Sequence, residues 1–314
     1  MLYYAVQRIG LSILILITSM VMLFTALKLI PGDPATIMLG SRATAEMRAR
    51  ISAELGLDDP VIVQLSAFFG RLLRGDMGTD LWSNRPVAQM VADNLPYTLL
   101  LIVIGLGWSA LIGIPLGCYS AIRRNSWIDR LTGVVSVGTI SIPSFVVALY
   151  VILLFSVKLG WLPYIGAGEP GDRWDQFLHL IMPGFALGLG WVGYLARIVR
   201  ASMLEVMGEN HIRTARAFGL PEYRIVTGYA LRIAILPTIT LLAIAVGGLL
   251  SNAVFIETIF ARPGIGKLIV DAAGMRNFPV VQGGVLTTVA LFALTMPVAD
   301  LLVAWLDPRV RATL

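Results

Sequence analysis

Charge is scarce in this sequence. Only 14% of its 314 residues are Asp, Glu, Lys or Arg, against about 25% in a soluble domain. With 57% hydrophobic residues and a mean hydropathy of +0.81, the shortage argues against a soluble globular protein and fits a polytopic membrane protein. Cysteine is almost missing. Cys118 stands alone in an apolar run, so no intrachain disulfide can form and the redox compartment stays open. The two histidines, His179 and His211, lie far apart without acidic or thiol partners at ligand spacing, and no metal site is expected. The net charge of +5 does not point to nucleic acid, because most of the chain is expected to lie in lipid.

Nucleotide motifs are missing too. The stretch Gly188-Leu-Gly-Trp-Val-Gly193 has dinucleotide-motif spacing but falls inside an apolar run, not between a strand and a helix. Pro263-Gly-Ile-Gly-Lys267 lacks the first glycine of a phosphate loop, and Leu268 stands where a hydroxyl should hold magnesium. Any uphill transport must therefore draw its energy from outside this chain.

Six apolar stretches reach the roughly 20 residues needed to cross a bilayer: 9–30, 95–122, 131–159, 177–196, 233–256 and 283–306. The first exceeds the apolar core of a signal peptide and is read as a retained span. None carries Asp, Glu, Lys, Arg or His near its middle; Lys28, Lys158, His179, Glu257 and Asp300 sit at or near ends. Ionisable groups in the bilayer mark proton and ion pathways, so their absence disfavours proton-coupled transport and membrane-embedded acid catalysis. Pro115, Pro143, Pro183, Pro237 and Pro297 place a helix-weakening residue in five of the six spans. The pairs Gly113/Gly117 and Gly184/Gly188 allow close helix approach.

Basic residues set the orientation. With the N-terminus inside, twelve arginines fall inside, and six basic residues fall outside once the long first loop is left out of the count. Both termini are therefore expected in the cytoplasm. The chain divides into a first transmembrane helix (1–30), an external helical cap (31–94), a five-helix core (95–306) and a tail (307–314). In the cap, Thr44 can start a helix bearing Met47, Ile51 and Leu55 on one face. Asp59-Pro60 can start a second, bearing Leu65, Phe69 and Leu72 and ending at Gly75, and Pro86 a third. The cap is either a solvated connector or a docking surface for an external partner.

The most telling segment is 201–232. Asn210 is expected to cap a helix over 211–218, with Gly219 in the left-handed conformation that ends it and Pro221 preventing continuation. Thr214 and Phe218 share one face, Ile212 and Ala215 another, and Arg213 and Arg216 form a cationic side. Ala215 and Ala217 are small enough to admit a closely docked partner. A lipid-surface helix has the same pattern.

Thr214-Ala215-Arg216-Ala217-Phe218-Gly219-Leu220, followed by Ile235-Leu236-Pro237, resembles the EAA loop of ABC-importer permeases, and specifically the dipeptide/oligopeptide/nickel branch. The likeness extends to Arg8, Ile30-Pro-Gly-Asp-Pro34, Glu54-Leu-Gly-Leu-Asp58 and Ser202-Met-Leu-Glu-Val206. Glu257-Thr-Ile-Phe260, Pro263-Gly-Ile-Gly266 and Asp307-Pro-Arg309 complete it. Phe218 departs from a frequent Lys, and Arg213 takes the place of the Glu in the general pattern. The resemblance implies an all-α membrane protein with the six-helix type I importer permease fold. It also implies a bacterial inner-membrane location, with no enzymatic activity and no cofactor in this chain. The implied partners are a second homologous permease, two cytoplasmic ATPase subunits that hydrolyse ATP, a periplasmic substrate-binding protein and membrane lipid. His211, Ile212, Arg213, Thr214, Ala215, Arg216, Ala217, Phe218, Gly219 and Leu220 become the ATPase-coupling residues. The implied cargo is a di- or oligopeptide, with nickel chelates, glutathione or oligosaccharides as alternatives. A secondary transporter is the alternative of a different class.

Overall fold

A computed structural model describes residues 2–29 and 60–306. The Thr44 helix, the motifs 30–34 and 54–58, and Asp307-Pro-Arg309 with the tail lie outside the described residues. Within them the chain is helical, and five helices are long and apolar enough to span a membrane, or six if one bent pair is counted as a span.

Helix α1 (Leu2–Leu29) is the first span. Helix α2 (Val61–Leu72) is short and begins after Pro60, whose missing N–H costs nothing at a helix start. The third expected helix, at Pro86, does not stand alone: Pro86 caps α3 (Val87–Ile122), which runs unbroken across the expected boundary at 94/95 into the second span. Pro96 and Pro115 are absorbed within it.

The span expected at 131–159 is two helices. α4 (Trp127–Ser141) and α5 (Ser144–Val151, continued by a π-helical stretch Ile152–Lys158) meet at 96°. The residue before a proline is pushed out of the helical region, and Ile142 before Pro143 is extended at φ −91°, ψ 119°. Helix α6 (Arg173–Met207) overruns its expected end at 196 by three turns, so Arg197 and Arg200 are helical and not in a loop. α7 (Asn210–Ala217) follows. α8 comprises Glu222–Arg224, a π-helical stretch Ile225–Ala230 and Leu231–Ala234. α9 (Leu236–Ile259) holds Pro237 in its first turn, where no intrahelical donor is lost, so this proline does not weaken the span. α10 (Ile265–Gly274) and α11 (Phe278–Leu306) complete the described chain.

The α3–α6 pair is the centre of the bundle. A Cβ on Gly113 would lie 2.8 Å from the Val192 carbonyl oxygen, and one on Gly117 2.5 Å from that of Ala196. Ser109 Oγ donates to the Gly188 carbonyl at 2.7 Å, and Trp108 Nε1 to that of Gly184 at 2.8 Å. The glycine spacing thus serves helix packing, which also accounts for Gly188–Gly193 without a nucleotide. Leu101, Ala148, Leu187, Leu249 and Ile256 form a core shared by α3, α5, α6 and α9. α11 packs on α9 and α1.

Candidate coupling site

Helix α7 begins one residue earlier than expected. Glu209, extended at φ −72° and ψ 157°, is its N-cap, and Asn210 is the first helical residue. No side chain caps it; the Glu209 carboxylate instead meets His211 Nδ1 at 3.0 Å. The far end follows the turn chemistry. Gly219 has φ +76°. Its N–H donates to the Arg216 carbonyl at 2.9 Å and that of Leu220 to the Ala215 carbonyl at 3.3 Å. This pair of bonds is the Schellman ending, and φ > 0 makes glycine the favoured residue. Pro221, extended, then starts α8.

The two faces of α7 differ. Ile212 and Ala215 are buried against Cys118 and Ala121 of α3, Val199 and Met203 of α6, and Ile225 of α8. Ala215 therefore seats the helix on its own chain and is not open to a partner, which corrects the expectation for it; Ala217 does face outward. His211 and Leu220 are half-buried, whereas Arg213, Thr214 and Arg216 are exposed. Phe218 is 82% exposed, a bare ring at the helix end. Arg216 Nη2 donates to Glu222 Oε1 at 2.7 Å, bracing the turn from outside. Hydrogen bonding to Arg216 outweighs desolvation and holds the Glu222 carboxyl below its usual range. Both partners are well exposed, so the pair adds little stability.

Two polar clusters join helices, one at each end of the bundle, and sequence reasoning missed both. At the α7 end of the bundle, buried Asp129 of α4 accepts from Arg200 Nε at 2.5 Å and Nη2 at 2.7 Å. It also accepts from Asn125 N–H at 2.9 Å and from Ser120 Oγ. One carboxylate thereby ties α3, α4 and α6 together beneath α7. At the opposite end, Glu257 is wholly buried in the last turn of α9. Its carboxylate accepts from Thr98 Oγ1 at 2.6 Å and from Lys267 N–H at 3.1 Å, at the start of α10. A Cβ on Gly264 would collide with this carboxylate. The Pro263–Gly266 loop thus wraps a carboxylate of its own chain. Only the short Ser-x-x-Asp spacing of Ser126 and Asp129 and the Glu-x-x-Phe-x-x-Pro-Gly spacing from Glu257 to Gly264 hinted at these clusters, and neither names its distant partner.

No three His, Cys, Asp or Glu residues converge as metal ligands among the described residues. α7 packs against the π-helical stretch of α8 and shares a buried cluster with α3 and α6, and α8 leads into α9.

The description "binding-protein-dependent transport system inner membrane component" matches residues 113–312, and its N-terminal counterpart matches residues 1–102. The chain is 37% identical over 311 residues to the glutathione transport system permease protein GsiC of Pectobacterium atrosepticum, covering 99% of each. It is 35% identical over 332 residues to the dipeptide transport system permease protein DppB of Alkalihalophilus pseudofirmus, covering 99% of this chain and 100% of the relative. In fold it is similar to an inward-facing structure of the MetNI methionine ABC transporter. That match has a TM-score of 0.55 and 18% identity, covering 70% of this chain and 97% of the other.

Proposed function

Since this chain belongs to the binding-protein-dependent transport inner membrane component family and has the fold of an ABC importer permease, we propose that it forms half of a translocation pathway for short peptides. The relatives named for glutathione and for dipeptides, each matched over nearly its whole length, carry the reading. Both cargoes are short peptides in the chemical sense, so glutathione is the specific second reading.

The partners are a second permease of the same family, two ATPase subunits and an external binding protein. Both termini face the ATPase side. The chain itself holds no cofactor and performs no chemistry; the ATPases hydrolyse ATP. The exposed face of α7, with Arg213, Arg216, Ala217 and Phe218, is the surface an ATPase grips. In support, α7 rests on α3, α6 and α8 through Ile212 and Ala215, so a displaced α7 carries them with it. Nucleotide drives the cycle only through a difference in affinity for two conformations. ATP must therefore favour the ATPase arrangement that opens the pathway outward.

The test is the reconstituted importer with its binding protein, offered labelled dipeptides, longer peptides and glutathione. ATP-dependent uptake of a peptide is expected. Uptake that needs no ATPase, or that is confined to a non-peptide cargo, would overturn the reading.

A further inference from the structure

Among the described residues, helix α2 packs only sparsely against other helices. A groove of about 400 Å³ lies between it, α1 and α11. Its walls include Ile13, Ile17 and Met20 of α1, Phe69 and Leu72 of α2, and Leu286 of α11, and every lining residue is apolar. Water needs two to four polar partners to settle in a cavity and finds none on these side chains. The size falls within the roughly 300–1,000 Å³ of ligand sites.

Two further observations point to the occupant. The groove is continuous with the outer face of α1, where Ile13 and Ile17 are themselves exposed beside Ile9, Leu11 and Leu14. That face is apolar enough to border acyl chains. Second, α2 is two-sided. Ile62, Phe69, Leu72 and Leu73 share one side, and Ile62 is 80% and Leu73 90% exposed. Arg71 and Arg74 project from the other side, both exposed, with no ion pair among the described residues. An amphipathic helix with bare aliphatics below and arginines above has the composition of one lying in the bilayer interface.

We propose that α2 is an in-plane membrane helix and that the groove beneath it holds an acyl chain of an anionic phospholipid, with Arg71 and Arg74 facing its phosphate. The leaflet is the one opposite α7, periplasmic in the orientation proposed above. Part of the external segment between α1 and α3 thereby becomes a lipid contact and not a surface for the binding protein.

The test uses the assembled importer in phosphatidylglycerol nanodiscs, in a Cys118→Ala background. A nitroxide at Leu73→Cys or Ile62→Cys is expected to relax with oxygen and not with a water-soluble nickel chelate. Phosphatidylglycerol bearing an acyl-chain diazirine is expected to mark peptides from α1 or α2. Ile17→Trp, which fills the groove, should cut that labelling severalfold. The Arg71→Glu/Arg74→Glu pair should abolish the preference for phosphatidylglycerol over phosphatidylcholine without moving the nitroxide into water. Nickel-accessible nitroxides would place α2 in water, and nitroxides shielded from both reagents would place a protein segment or partner over it. Either result, or labelling indifferent to Ile17→Trp, overturns the proposal.

Discussion

Single side chains at two corners of the bundle decide how the helices are joined. Glu257 and Thr98 lie 159 positions apart in sequence, yet bond at 2.6 Å, and Thr98 Oγ1 also accepts from Ile265 N–H at 2.8 Å. Three helices meet there, and Gly264 is glycine because a methyl group has no room. Gly264→Ala should overpack this corner by about 1–3 kcal/mol, seen as a lower melting temperature of the purified complex. An unchanged melting temperature would mean the loop is free to move aside. Asp80 joins the segment before α3 to the turn before α11: it accepts from Ser83 N–H at 2.8 Å, from Ser83 Oγ and from Asn277 Nδ2. Burial raises its carboxyl, but these bonds and one from the Trp82 backbone outweigh it, so the folded value lies below the ordinary one. The stabilisation is fully present above the unfolded value of about 4 and is lost as pH falls through the lower folded value. Hydrogen exchange of the segment 76–86 should therefore quicken, beyond its intrinsic pH dependence, below about pH 4. Asp80→Asn should remove that acid step, and persistence of the step would assign it elsewhere.

Among the elements, α7 was the most legible. Its ending depends on Gly219 and Pro221, and turn chemistry is local enough to read from the chain. Which of its faces points inward was not legible. Ile212 and Ala215 are turned inward by residues from α3, α6 and α8, far away in sequence. Gly219→Pro removes the N–H that bonds to Arg216 and demands φ near −65° where the chain has +76°. It should abolish uptake while the chain still inserts. Gly219→Ala, at about 1 kcal/mol of strain, should retain part of the activity. Normal coupling of ATP hydrolysis to substrate in the proline variant would refute a fixed lever. Phe218→Asp tests the outward face separately. The ring touches little of its own chain, so the melting temperature should hold while stimulated hydrolysis falls at least about tenfold, as losing an exposed anchor of 1.4 kcal/mol would produce. Loss of folding would instead make Phe218 an internal support. The α4–α5 break shows the same division: Pro143 predicts weakness, but Pro115 sits within an unbroken helix. α3 is held along its length by α6, whereas the chain around Ile142 and Pro143 is exposed and can turn by 96°.

For the whole molecule, the scarcity of cysteine is useful. Cys118 is buried, so an introduced cysteine reports alone. With both termini inside, Glu169→Cys should react with an impermeant maleimide added to intact cells and Phe218→Cys only after lysis. The reverse pattern would invert the proposed topology and move α7 away from any cytoplasmic ATPase. The two clusters at Asp129 and Glu257 sit at opposite ends of the bundle and each joins three helices. Breaking a buried pair costs more than the pair contributes, because the survivor is left uncompensated. The bundle is therefore expected to move as joined units about its less tied parts.

Apolar run length, turn residues and charge placement are local sums, and they determined the membrane class, the candidate spans and the stop at Gly219. The motif set carried the family. Burial is not local. Whether Ala215 faces in or out, whether Pro143 bends its span, and which donors surround Asp129 and Glu257 depend on neighbours from distant parts of the chain. The packing of α3 on α6, with the helices gathered around that pair, decided these points because only there do those distant residues meet.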